Sequence, residues 1–111
     1  MVKSSSESVM WGFVGRDGSV LVSPRYEDAR RFCGGLAVVK CGGLFGYADE
    51  SGRVVVEPNF VQAEPFSEGR ARVRTGMRSK WRFIDVNGEF AFKGSFVQAL
   101  DFREGFAPVL Y

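Results

Sequence analysis

Eight columns of matching residues recur three times along the chain, and no other feature constrains its fold as strongly. Trp11, Phe45 and Trp81 stand 34 and 36 residues apart, and Gly18, Gly52 and Gly88 keep those offsets. So do Tyr26, Phe60 and Phe96; Ala29, Ala63 and Ala99; Phe32, Phe66 and Phe102; Gly35, Gly69 and Gly105; Ala37, Ala71 and Ala107; and Val39, Val73 and Val109. So many columns at one period mean a single supersecondary unit copied three times, over residues 11–44, 45–80 and 81–111. A chain of 111 residues makes one domain of these copies. The polar stretch MVKSSSESVM, residues 1–10, reads as a flexible lead without the apolar core of a secretory signal, which points to the cytoplasm.

Each unit opens on an aromatic and a short extended run, WGFVG, FGYAD or WRFID. The pairs Asp17-Gly18, Ser51-Gly52 and Asn87-Gly88 follow, and Asp-Gly and Asn-Gly are type I′ hairpin signals. A second strand is expected in SVLV, RVVV and EFAF, ended by Pro24 and Pro58 in the first two units and by Gly94 in the third. YEDARRF, FVQAEPF and FVQALDF suit a single helical turn or an irregular connection. GLAVVK, GRARVRT and GFAPVLY then supply a third strand. The first two lead directly into the next unit, so a meander of three antiparallel strands should straddle each unit boundary. An all-β stack of hairpins follows, with a closed pseudo-three-fold barrel as the alternative.

Alternation along the third strand separates its faces. Ala37 and Val39, Ala71 and Val73, and Ala107 and Val109 keep their type and point into a shared core. The intervening face varies: Leu36, Val38 and Lys40, then Arg70, Arg72 and Arg74, then Phe106, Pro108 and Leu110. The repeated residues are scaffold, and the variable face is where function is expected.

WGF with a following Asp-Gly, a β-branched strand reaching Pro, then Tyr, Ala, Phe and Gly-Leu-Ala-Val-Val-Lys resembles the WG-repeat family, also called KWG repeats, over residues 11–111. WG is intact once; Phe45 replaces the Trp of the second unit and Arg82 the Gly of the third. The resemblance implies a bacterial all-β repeat module that binds or interacts and is not an enzyme.

Composition narrows the chemistry. Histidine is absent, which removes the commonest general base and metal ligand, and no nucleophile is supported by a base; no catalytic residue, metal site or cofactor is expected. The Gly pairs at 34 and 42 lack the Lys-Ser/Thr of a phosphate loop. Cys33 and Cys41, eight positions apart across a strand, are too distant for a disulfide and read as free thiols. Asp49 and Asp85 stand at strand ends beside turns, where bonding to the backbone is their expected role. Net charge is only +2, and no apolar run approaches a membrane span, so no membrane partner is expected.

Two binding readings remain. The first is a protein partner, in its simplest version another copy, held by Leu36, Val38, Phe106, Leu110 and Tyr111 on the variable face. The second is nucleic acid or another polyanion on Arg70, Arg72, Arg74, Arg78, Lys80 and Arg82, six cations within thirteen residues, with Trp81 as a stacking surface. The hairpin through Gly76 is expected to bring Arg82 beside the three strand arginines. Against these, Trp11, Phe45 and Trp81 read more simply as core spacers, because each copy fills the same gap. Ala107 to Tyr111 forms an edge without the neighbour that the other units supply. Pairing across a protein contact, closure onto WGFVG, or continuation of a longer array would each cover it, and Pro108 is expected to remove one ladder donor there.

Overall fold

The computed structural model describes residues 10–111; residues 1–9, where most of the expected flexible lead falls, and the side chains of residues 21–24 lie outside that description. Among the described residues the chain is all β, with no helix. The first unit holds β1 (Trp11–Val14), β2 (Val20–Tyr26), β3 (Asp28–Ala29) and β4 (Leu36–Cys41). The second holds β5 (Leu44–Asp49), β6 (Val54–Phe60), β7 (Gln62–Ala63) and β8 (Ala71–Arg74). The third holds β9 (Arg82–Ile84), β10 (Gln98–Ala99) and β11 (Val109–Leu110). The sheets run β1-β2, β3-β4-β5-β6, β7-β8-β9 and β10-β11.

The expected meander across a unit boundary is the sheet β3-β4-β5-β6, whose β4 and β5 pair antiparallel with Val39 opposite Gly46 and Lys40 opposite Phe45. The segments read as a single helical turn or an irregular connection hold instead the short strands β3, β7 and β10, each paired with its unit's third strand.

Turn chemistry differs from the sequence reading at two kinds of site. At Gly18, Gly52 and Gly88 only the glycine is left-handed, with φ near 89°, 91° and 86°. The Gly52 N–H donates to the Asp49 carbonyl at 3.0 Å and the Asp49 N–H to the Arg53 carbonyl at 2.9 Å, which is a type I turn closed by a glycine bulge. The type I′ turns lie elsewhere, at Gly34-Gly35, Gly42-Gly43, Glu68-Gly69 and Glu104-Gly105, where both central residues have positive φ.

Pro24 and Pro58 do not end their strands; β2 and β6 run past them to Tyr26 and Phe60. The β5–β6 register shifts on the way, with Phe45 opposite Phe60 but Tyr47 opposite Val56, and Pro58 sits where the irregularity frees it from the ladder. Gly46 makes this approach feasible. A Cβ there would fall on the Val56 carbonyl oxygen and lie 2.9 Å from the Glu57 carbonyl carbon. The third unit has Arg82 at that column, and its EFAF segment, expected as a strand, retains an isolated bridge between Ile84 and Phe90 and a bond from the Ala91 N–H to the Phe83 carbonyl at 2.9 Å.

The sheets are stacked in chain order. Tyr26, Val39 and Ala48 cluster between the first two, Val38, Tyr47, Phe60, Phe66, Val73 and Ile84 between the second and third, and Trp81, Phe83, Phe96 and Ala99 between the third and last. The closed-barrel alternative is overturned, because β1-β2 and β10-β11 are separate two-stranded sheets. Cys33 and Cys41 are free.

Candidate functional site

The stack explains what the variable face of the third strands does. In the first unit it meets the second, so Leu36 is only 7% exposed and Val38 only 1%. Both faces of β4 are covered, and Leu36 and Val38 are inter-unit core rather than partner contacts. The expectation failed because alternation identifies two faces but not what lies over each.

In the second unit the same face carries arginines, and the third unit engages them. Arg72 donates through Nε to Asp101 and through Nη1 to the Ala99 carbonyl, both at 2.9 Å. The guanidinium groups of Arg72 and Arg74 lie 5.5 and 5.3 Å from the ring centre of Trp81. Arg70 donates to the Gly69 carbonyl at 3.1 Å. Trp81 is 9% exposed, so it fills the junction as a spacer and offers no open stacking surface. Arg82 stands opposite Val73, which puts it on the sheet face away from Arg72 and Arg74, with its guanidinium 3.5 Å from the Phe90 ring centre. The expected single stripe is therefore split; Arg78 and Lys80 are exposed in the loop before β9. Asp101, not the nearby acids of the second unit, is the ion partner of Arg72.

In the third unit the variable face meets no further unit among the described residues. Phe106 is 78% exposed and Leu110 56%, and Tyr111 and Leu100 are exposed beside them. Two adjoining grooves share Leu100 and Pro108. One of about 500 Å³ is bounded by Arg72, Asp101, Glu104 and Phe106, and one of about 380 Å³ by Gln98 and Leu110. Leu100, Asp101 and Glu104 were not singled out in the sequence; their columns were in view, but only the stack identifies them as its open end.

Among the described residues the edge beside this face is also open. The Leu100 N–H donates to the Pro108 carbonyl at 3.0 Å, so Pro108 faces β10. Successive residues of a strand alternate their bonding direction, and Ala107 and Val109 therefore direct their N–H groups to the free edge. Pro108 removes no donor from that edge, contrary to expectation. At the opposite end of the stack Trp11 is 51% exposed.

Asp49 and Asp85 serve their turns. The Asp49 carboxylate accepts from the Ser51 hydroxyl at 2.7 Å and the Ser51 N–H at 2.9 Å, and these bonds hold its carboxyl below the usual range. Asp85 accepts from the Asn87 N–H at 2.9 Å. Among the described residues no three His, Cys, Asp or Glu side chains gather as a metal site, and no helix is long and apolar enough to cross a membrane.

A family model described as "WG containing repeat" matches residues 11–45, 45–76 and 81–111. No curated protein and no solved structure gives a significant match.

Proposed function

The chain belongs to the WG-repeat family, and from that footing we propose that it is a non-catalytic protein-interaction module whose binding surface is the open end of its third unit. The observation that carries this reading is the exposure of Phe106 in the column that buries Leu36 in the first unit, with Leu110 exposed on the same strand. An apolar face flanked by Asp101 and Glu104 fits another protein surface better than solvent. The simplest partner is another copy.

Polyanion binding is the less favoured alternative. Arg72 is occupied by Asp101 and Trp81 is buried, which leaves Arg78 and Lys80 as exposed cations outside the sheet.

Sedimentation velocity over a concentration series tests the reading. The wild-type chain is expected to associate, and the Phe106→Ser, Leu110→Ser double variant to stay monomeric with an unchanged circular dichroism spectrum. Equal behaviour of the two would remove this face as the binding surface.

A further inference from the structure

The four-stranded sheet β3-β4-β5-β6 is built from two halves, β3-β4 of one unit and β5-β6 of the next. The molecule also carries each half alone. The β10-β11 pair at its end corresponds to β3-β4, and the β1-β2 pair at its beginning corresponds to β5-β6. Among the described residues, each half leaves unpaired the edge at which the complete sheet joins.

We propose that a second copy completes the sheet, with β11 of one molecule pairing antiparallel with β1 of the next, head to tail. This rests on the reading of the third unit's open end as a protein-binding surface. The register follows from the internal junction. Lys40 opposite Phe45, Val39 opposite Gly46, Val38 opposite Tyr47 and Ala37 opposite Ala48 become Leu110 opposite Trp11, Val109 opposite Gly12, Pro108 opposite Phe13 and Ala107 opposite Val14.

Side-chain chemistry fits this register. At the internal junctions cations cover the leading aromatic: Lys40 Nζ lies 5.5 Å from the Phe45 ring centre, and Arg72 and Arg74 lie over Trp81. The corresponding residues of the third unit are the apolar Pro108 and Leu110. They would cover Trp11, the leading aromatic that the chain itself leaves most exposed, so both sides of the contact gain by leaving water. The backbone agrees, because Ala107 and Val109 present N–H groups to the unpaired edge and Gly12, like Gly46, has no register partner on the strand that follows it.

A polar contact at the junction of the second and third units extends to this arrangement as well. The Glu68 carboxylate accepts from the N–H groups of Glu104 and Gly105, at 2.6 and 2.9 Å, clamping the equivalent turn of the next unit. Glu104 holds the Glu68 position in the third unit, and the turn it would clamp in a second copy is the exposed Gly34-Gly35. The contact is heterologous and leaves the same two surfaces free at the ends of each assembly, so chains or rings larger than a dimer result.

Complementation decides between this arrangement and a symmetric one. Trp11→Glu spoils only the leading edge, and Phe106→Glu with Leu110→Glu spoils only the trailing face; Val14→Lys is a second leading-edge variant should Trp11→Glu fail to fold. In sedimentation velocity the wild-type chain is expected to form a series of oligomers. Each variant alone should remain monomeric, and an equimolar mixture should yield a 1:1 dimer and nothing larger. Association of a folded leading-edge variant as strong as wild type would overturn the pairing while sparing the trailing face as a surface. Undiminished association of the trailing-face variant would overturn both. A wild-type chain that is monomeric up to about 1 mM would likewise overturn the self-association.

Discussion

The Arg72 guanidinium and the Asp101 carboxylate meet at 2.9 Å across the boundary between the second and third units, with side chains 20% and 29% exposed. The pair is shielded enough to fix the third unit on the second, and the bond to the Ala99 carbonyl sets its angle. Arg72→Ala is expected to destabilise the chain by about 1–2 kcal/mol, the range of a charge-assisted bond discounted for solvent access. Thermal melting should register this as a fall of about 4–8 °C per kcal/mol. The same variant should leave any weak binding to single-stranded DNA unchanged; a large loss of DNA affinity would revive the polyanion reading.

Gly46 carries the second expectation. Its missing Cβ lets the Val56–Pro58 backbone cross β5 closely, and backbone cannot retreat as a flexible side chain can. Gly46→Ala should cost about 1–3 kcal/mol through overpacking. Retention of wild-type stability in urea unfolding would show that the irregularity between β5 and β6 is not tied to this glycine.

How much of this was legible in the sequence follows from what each column meets. Ala37, Ala71 and Ala107 touch their own unit's packing, so they repeat and reveal the scaffold. Leu36, Arg70 and Phe106 share a column, but each faces whatever follows: the second unit, the third, or nothing described. Sequence spacing cannot tell these apart, because the difference lies in stacking order and not in local pattern. The Glu68-Gly69 and Glu104-Gly105 turns escaped for another reason. Glutamate seldom adopts a left-handed conformation, and its occurrence at φ 54° in both turns goes with two-residue hairpins closed by backbone bonds between Ser67 and Arg70 and between Arg103 and Phe106.

Acid stability should carry the signature of Asp49. Bonds from Ser51 lower its folded-state pKa below the unfolded value of 3.8, opposed by slight desolvation. An acid with a depressed folded pKa stabilises the native state above its unfolded pKa, and that contribution is lost as pH falls through the lower folded value. Urea titrations from pH 5 downward should show the loss, and Asp49→Ala should flatten it. An equally steep slope in the variant would assign the acid transition to other carboxylates.

Tyr47 should act at the opposite extreme. Burial, followed by the charges of Glu64 and Asp101, raises its phenol above 10.0, and its hydroxyl donates to the Glu64 carbonyl at 2.6 Å. The resulting stability is fully present below 10.0 and is lost as pH rises toward the folded value, because the unfolded phenol ionises first. Tyr47→Phe should cost about 1 kcal/mol at neutral pH and remove part of the alkaline slope. An unaltered alkaline limb would count against this account.

The third unit permits a gain of structure rather than a loss. Its second strand is missing where Arg82 replaces the glycine of Gly46, and the Arg82 guanidinium instead reaches the Phe92 carbonyl at 3.4 Å and packs on Phe90. Phe92 corresponds to Val56, whose carbonyl oxygen is the atom that a Cβ at Gly46 would strike. The side chain that blocks the approach thus holds the displaced segment through the same carbonyl. The Ala91 N–H already donates to the Phe83 carbonyl at 2.9 Å, so Arg82→Gly should let residues 92–93 close onto β9 as β6 closes onto β5, with the Phe92 and Lys93 amides slowing in hydrogen exchange. Lost contact with Phe90 and the flexibility of glycine work against the added ladder bonds, so the net change in stability should stay within about 1 kcal/mol. Exchange protection is therefore the decisive readout. Amides that exchange as fast as in the wild type, in a variant that keeps its circular dichroism spectrum, would mean that Gly94 in the Pro58 column, and not Arg82, keeps the strand from forming.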